Sequence, residues 1–219
     1  MRIGILNYNI GNLASVKNAF NNIMQEFSNI TINVESDPCK IAKFDKIILP
    51  GVGAFGDAIA HLRQNSLDEA ICSFAKSGKY LLGICLGMQL LLQKSYEFGE
   101  YSGLGLIEGE VVEFDKTRLL AKNTQSSALK IPQIGWNKCI LSESGLKNGL
   151  LKDCEKEFFL YFVHSFHANK VADSHTLARC EYGYTFPAII GKDNVLGIQP
   201  HPEKSHQMGL KILKNFIAL

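Results

Sequence analysis

Cys85 stands midway between Gly83 and Gly87 in the apolar run "LLGICLGMQLLL". A cysteine in such a run can be plain core, because a free thiol packs as a small hydrophobe. The flanking pattern points elsewhere. Lys79 to Ile84 reads as a short buried strand, and Leu86 to Gln93 is rich in helix formers. Cys85 then falls where a strand turns directly into a helix. Glycines two residues before and after it remove the side chains that would clash in so sharp a turn. This is the nucleophile-elbow pattern with sulfur in place of a hydroxyl. It lifts the side chain into the open at a helix N-terminus, where the dipole favours a thiolate. The backbone N–H of Leu86 becomes an oxyanion donor.

A nucleophilic thiolate needs a base and a group to orient that base. Of the six histidines, His61 falls in a helical stretch and His175 in a polar loop. His201 differs, because it follows the strand "NVLGI" at once, within "QPHPEKS", with a proline on either side. Glu203 is two residues on, and in an extended segment residues i and i+2 point the same way. Glu203 can then hold the imidazole tautomer while the other nitrogen faces the thiol. The plainer reading is a polar turn with an exposed acid and base. Cys, His and Glu so placed are the parts of a hydrolytic or acyl-transfer triad.

The elements that must position these groups alternate through the first two-thirds of the chain. "RIGIL", "ITINVES" and "FDKIILP" read as strands, with helices over about Leu13 to Phe27 and Asp57 to Lys76. That rhythm predicts a mostly parallel α/β sheet flanked by helices. Functional loops gather at the carboxyl ends of such strands. "NYNIGN", "PGVGAFGD" and "GICLG" all follow strands, so all three belong on one rim. Beyond Gly103 short strands with turn signals predict an antiparallel β extension of the same single domain, 1–219. Lys116 to Lys130 reads as a polar surface loop, and "HQMGLKILKNFIAL" as a closing helix with one apolar face.

Composition narrows the function classes. A net charge of +2 gives no reason to expect nucleic acid or a membrane surface as partner. The longest apolar tract is too short and too broken by glycine to span a bilayer, and no export signal opens the chain. The six cysteines show no CxxC pair and no zinc spacing, so no metal site is expected. Scattered thiols of this kind predict a reducing, cytoplasmic setting.

Together, "GICLGMQLL", "PGVGAFGDA" and "QPHPEKS" resemble the class I glutamine amidotransferases. More narrowly, "NIGNLASVKNAF", "LGLIEGEV", "IGWNK", "YFVHSFH" and "HPEKS…GLKILKNF" look like the glutaminase subunits of imidazole glycerol phosphate synthases, in order and over essentially the whole chain. The resemblance implies a triad of Cys85, His201 and Glu203, with Val52 lending a second oxyanion N–H beside Leu86. It implies that Gly53, Gln89 and Glu97 cradle the substrate glutamine, Glu97 taking its ammonium group. The backbone around His164, Ser165 and Phe166 would receive the carboxylate. Asn12, Trp136 and Lys204 would face a (β/α)8-barrel synthase that takes ammonia through an internal passage and forms imidazole glycerol phosphate and AICAR in histidine biosynthesis. No cofactor is implied. Plainer roles stay open: Trp136 as core, Gln89 and Glu97 as solvated helix-face residues, Gly53 as a turn former.

The chain departs from the family pattern at Asn9, where Gly is usual, at Gln133, where His is usual, and at Pro200, where Phe is usual. Asn9 and Gln133 would fall near the partner face. A sibling group that supplies ammonia for amidine formation on sugars of surface polysaccharides is the alternative. A stand-alone cysteine peptidase would share the elbow but has no reason to carry "GWN" and "YFVHSFH".

Overall fold

The computed structural model describes every residue except Gly11, Ser28 and 122–128. Strands β1 (Arg2–Leu6), β2 (Thr31–Glu35), β3 (Lys46–Gly51) and β4 (Tyr80–Cys85) alternate with helices α1 (Leu13–Met24), α2 (Pro38–Ile41), α3 (Phe55–Gln64), α4 (Leu67–Lys76) and α5 (Leu86–Leu90). The short strands β5 (Lys94–Ser95), β6 (Tyr101–Ser102) and β7 (Glu110–Glu113) follow, then helix α6 (Lys116–Ala121). The remainder runs β8 (Gln133–Leu141), α7 (Glu143–Leu146), β9 (Glu157–His164), β10 (Phe166–Asn169), β11 (Thr176–Tyr182), β12 (Tyr184–Lys192), β13 (Val195–Ile198) and α8 (His206–Ala218).

Nine strands form one sheet in the order β2-β1-β3-β4-β13-β12-β11-β8-β9. The first five run parallel, and the last four join antiparallel. The parallel sheet and its antiparallel extension are thus one continuous surface. β3 is buried along its whole length, as a parallel strand covered on both faces must be. Alternate residues feed two apolar clusters. Ile48, Leu82 and Ile84 meet α1 and α8 on one face, while Ile47, Leu49 and Leu81 meet α3, α4 and α5 on the other.

Several expectations need correcting. The helix expected from Asp57 to Lys76 is two helices, separated at Asn65 and Ser66, with Ser66 at φ 53°. An unbroken helix would carry Leu67 away from the face set by Ile59 and Leu62, and the break returns it to the core. α1 stops at Met24 rather than Phe27, one residue past its last buried side chain, Ile23. Lys116 to Ala121 is helical rather than loop, because Asp115 caps it by accepting from the N–H groups of Thr117 (2.9 Å) and Arg118 (3.3 Å). The later part of that expected loop, 122–128, lies outside the described residues. A second sheet, β10-β7-β5-β6, was not anticipated. Strands of two residues are too short for alternation to reveal them. Among the described residues no helix is long and apolar enough to cross a membrane.

β9 and β10 carry two buried histidines into an aromatic cluster. His164 and His167 both pack against Phe114 and Phe186. Burial pushes His164 down to about 3 and His167 down to about 4, with hydrogen bonds to the Phe166 and Ala168 carbonyls only partly opposing it. Both rings are therefore neutral in the fold, whereas an unfolded histidine titrates near 6.5. As pH falls below about 6.5 the unfolded chain takes up protons first, so stability is lost until the folded values are passed. Each histidine contributes a slope of up to about 1.4 kcal/mol per pH unit in that window. Urea denaturation at pH 7 and pH 4.5 is expected to show this loss, with a shallower dependence for His164→Phe, which fits the aromatic surroundings.

Candidate active site

The parallel ladders bring the ends of β3, β4 and β13, and the loops that follow them, to one rim. Gly51 at the end of β3 lies opposite Cys85 at the end of β4, and Ile84 lies opposite Ile198 at the end of β13. Cys85 has φ 55° and ψ −112°, a backbone conformation that L-residues rarely adopt and that a nucleophile elbow requires. The surrounding glycines are explained by contact. A Cβ on Gly87 would lie 1.7 Å from the Leu49 carbonyl oxygen, and one on Gly83 would lie 2.6 Å from the Gly87 carbonyl. The turn closes only because these positions carry no side chain. The helix it opens, α5, is shorter than expected and ends at Leu90 rather than Gln93.

His201 follows β13 and is 2% exposed. Its Nδ1 is hydrogen-bonded to Glu203 Oε1 at 2.7 Å. The contact is the expected one, but its cause is not an extended segment. Pro202–Lys204 forms a single 3-10 turn that bends Glu203 back onto the ring. The other nitrogen, Nε2, makes no closed hydrogen bond and is left to Cys85, the neighbour with which it interacts. Burial disfavours the charged form of His201, yet the neighbouring Cys85 and Glu203 outweigh it and lift the ring to about 10. His201 thus holds its proton at neutral pH.

A cavity of about 260 Å³ opens beside the sulfur, a size for an amino acid rather than a large ligand. Val52, Gly53, Leu86, Gln89, Glu97, His164, Ser165 and Phe166 all line it with Cys85 and His201. Gln89 is 5% exposed, so it is not a solvated helix-face residue. Its Nε2 donates to the Phe166 carbonyl (2.9 Å) and to Gln199 Oε1 (3.0 Å). Glu97 lies in the loop after β5, not on a helix, and its Oε2 accepts from Phe55 N–H (2.7 Å) at the start of α3. Burial raises the Glu97 carboxyl and the nearby Asp57 charge adds to this, against the opposing Phe55 bond, so a cation arriving in the cavity would be welcome there. Ser165 occupies the step between β9 and β10, where the chain leaves the large sheet for the small one. Gly53 has φ 98° with nothing within 4 Å of a Cβ, so the backbone conformation rather than crowding selects glycine there.

Trp136, Lys204 and Asn12 lie outside the cavity. Trp136 is 43% exposed and so is not core. It stacks on His206 (centroids 4.9 Å apart, 4° between planes) and meets Tyr161 edge-on, while the Lys204 ammonium sits over the Tyr161 ring. The Asn12 side chain caps α1 through Ser15 N–H at 3.3 Å. Of the unusual positions, Asn9 has φ 64°, a conformation glycine and asparagine share. Gln133 is fully buried, on the inner face of β8 opposite His164, so it does not lie at a partner face.

Two neighbours of the sulfur escaped the sequence reading. Tyr8 is 1% exposed and donates its hydroxyl to the Pro50 carbonyl (2.7 Å), bracing the loop that carries Val52. Gln199 is fully buried and points its Nε2 at Cys85 Sγ, 3.8 Å away. Position supplied the only available signal, since Gln199 is the first residue past a strand that ends beside Cys85.

Reactivity should follow this geometry. All six cysteines are free. Burial raises the thiols of Cys72 and Cys154, pushes Cys180 up to about 12 and lifts Cys139 well above its ordinary range. A glutamine-like electrophile is therefore expected to label Cys85 first, with Cys139 and Cys180 silent and the exposed Cys39 reacting slowly. Peptide mapping over a time course checks the order. Faster labelling of Cys72 or Cys139 with Cys85 untouched would remove Cys85 from the chemistry.

Comparison with known proteins shows the family. The family model described as glutamine amidotransferase class-I matches residues 11–219. The chain is 54% identical to the imidazole glycerol phosphate synthase subunit HisH of Wolinella succinogenes, over 99% of each chain. It is 50% identical to that of Helicobacter hepaticus over 100% of this chain and 99% of the relative, and 40% identical to that of Bacillus subtilis over 99% and 96%. In fold it is similar to the structure of PurLQS from Thermotoga maritima, with a TM-score of 0.73 at 21% identity, covering 99% of this chain and 97% of that one. With a cysteine elbow, a paired histidine and an amino-acid-sized cavity on one rim of this sheet, the chain belongs to the class I glutamine amidotransferases.

Proposed function

We infer that the chain is the glutaminase subunit of an imidazole glycerol phosphate synthase, which releases ammonia from glutamine for a partner synthase subunit in histidine biosynthesis. The observation that carries the chemistry is the row Cys85, His201, Glu203, closed by a 2.7 Å bond and opening on the cavity. Full-length relatives at 50–54% identity carry the pathway.

Cys85 sulfur attacks the side-chain amide carbon of glutamine, and the carbonyl π electrons move to oxygen. The N–H groups of Leu86 and Val52 receive that oxyanion. Collapse of the tetrahedral intermediate breaks the C–N bond. His201 gives its proton to the departing nitrogen, which leaves as ammonia. The ring, now neutral and held by Glu203, takes a proton from water. The resulting hydroxide attacks the thioester, and its collapse releases glutamate and returns the Cys85 thiolate beside the protonated His201. Glu97 holds the substrate ammonium, Gly53 and Gln89 hold its body and side-chain amide, and the backbone at His164, Ser165 and Phe166 meets its carboxylate.

The partner docks beside this rim. On the outer face of β8 and β9, Ile134 (61% exposed), Trp136 and Phe159 (56% exposed) form an apolar surface with Tyr161 and Lys138. Val163, paired with Ile134, belongs to the same strand face and also lines the cavity. A partner seated on Trp136, Lys204 and Asn12 thus reaches the mouth from which ammonia leaves. We read the partner as a (β/α)8 barrel, and the setting as cytoplasmic, in keeping with six unpaired thiols.

Two outcomes test the reading. Cys85→Ala in the assembled complex should abolish synthesis from glutamine while synthesis from added ammonium salts survives. Failure with both nitrogen sources in a normally assembled complex would break the division of labour. The isolated chain should be a poor glutaminase, because "PGVGAFG" places three glycines in six residues around Val52 and lets its N–H turn away from the oxyanion. A barrel synthase with bound acceptor should raise the rate by about 100-fold, roughly the worth of one oxyanion donor. Steady-state assays with and without partner decide this. Activation only by a sugar-amidine synthase would move the chain to that pathway.

A further inference from the structure

Gln199 extends the ladder one residue beyond β13, its N–H donating to the Ala188 carbonyl at 2.8 Å. Because Ile198 is registered on Ile84, the next residue arrives beside Cys85. Its carboxamide is the middle member of a buried chain of hydrogen bonds. A backbone carbonyl can only accept, so the bond to Phe166 (2.9 Å) forces Gln89 to present its NH2 group there. The same NH2 reaches Gln199 at 3.0 Å, so Gln199 must turn its oxygen to Gln89. Its own NH2 is then left facing Cys85 Sγ, 3.8 Å away. The orientation of both amides is dictated by one main-chain oxygen.

We propose that Gln199 is a positioning residue for the nucleophile, donating an N–H to the Cys85 sulfur and tying its setting, through Gln89, to the cavity wall at Phe166. This rests on the reading of Cys85 as the nucleophile. A neutral thiol accepts hydrogen bonds weakly and a thiolate accepts them well. The donor therefore favours the anion and steadies it in the site it shares with His201. Because Gln89 spends both N–H groups in the chain, its Oε1 is the atom left to meet a substrate amide, and the same network serves both tasks.

The variant Gln199→Met keeps length and bulk but removes the donor. In the isolated chain, the rate of Cys85 alkylation by iodoacetamide at pH 7 is expected to fall about 10-fold, the low end for a hydrogen bond to a charged group. The pH profile should move to higher pH and rejoin that of the unsubstituted chain in alkali. Mere loosening of the site would lower the rate at all pH values alike, and a superimposable or uniformly lowered profile overturns the proposal. Gln199→Glu, which returns the shape but sets a carboxylate beside the sulfur, should be slower still. If the variants fail to fold, the unsubstituted chain provides the reading: the Gln199 side-chain 15N–1H resonances should move when Cys85 is alkylated, and unmoved resonances overturn the proposal. An unsubstituted chain whose Cys85 resists alkylation at every pH overturns the nucleophile assignment itself.

Discussion

The close approach of β3 to the turn after Cys85 sets the terms for everything around it. The Leu49 carbonyl oxygen occupies the space where a side chain at residue 87 would begin, 1.7 Å from the missing Cβ. Contact this tight lets the chain reverse from strand to helix in one residue and leaves Cys85 in its strained conformation, 7% exposed and lining the cavity rather than lifted into the open. The cost of that conformation, about 1–3 kcal/mol for a residue of this kind, is borne by the central sheet. β4 is held between β3 and β13 by parallel ladders on both sides. The same two neighbours carry the Val52 loop and His201, so one packing constraint fixes Cys85 and brings both beside it.

Electrostatics at the site is decided by partners rather than by depth. His164 and His201 are both buried in the same wall, yet one is driven to about 3 and the other raised to about 10. Burial opposes the charge in each case. His164 has a carbonyl and aromatic rings for company, and a neutral ring is the cheaper state. His201 has a carboxylate on one nitrogen and a sulfur beside the other, and their attraction exceeds the loss of water. The protonated His201 thus lines the same cavity as His164, a ring that burial keeps neutral.

The two sheets divide the remaining work. The parallel half of the large sheet supplies the reacting groups, and its antiparallel half carries an apolar outer face at the mouth of the cavity. The small sheet contributes the far wall. β5 leads into Glu97, and β10 begins at Phe166, whose carbonyl accepts from both His164 and Gln89. Ser165, at the step between sheets, is where the chain passes from the large sheet to the small one. Chemistry, recognition and assembly therefore meet within a few residues of one strand end.

What the sequence determined by itself was local. The glycine spacing around Cys85 announces a turn because steric exclusion acts between near neighbours, and apolar runs announce β1, β3 and β4 because parallel strands are buried on both faces. The pairing of His201 with Glu203 was legible from two residues of separation, although the 3-10 turn that makes it was not. Tertiary structure alone decided what depends on distant segments. Tyr8 reaches Pro50 across 42 residues, Glu97 reaches Phe55 across 42, and Gln199 reaches Cys85 across 114. The break after α3 returns Leu67 to the core, and β5 is a strand because β7 pairs with it on one side and β6 on the other. Period and steric fit are written in consecutive residues, whereas a hydrogen bond between remote side chains comes into being only when folding has set their strands side by side.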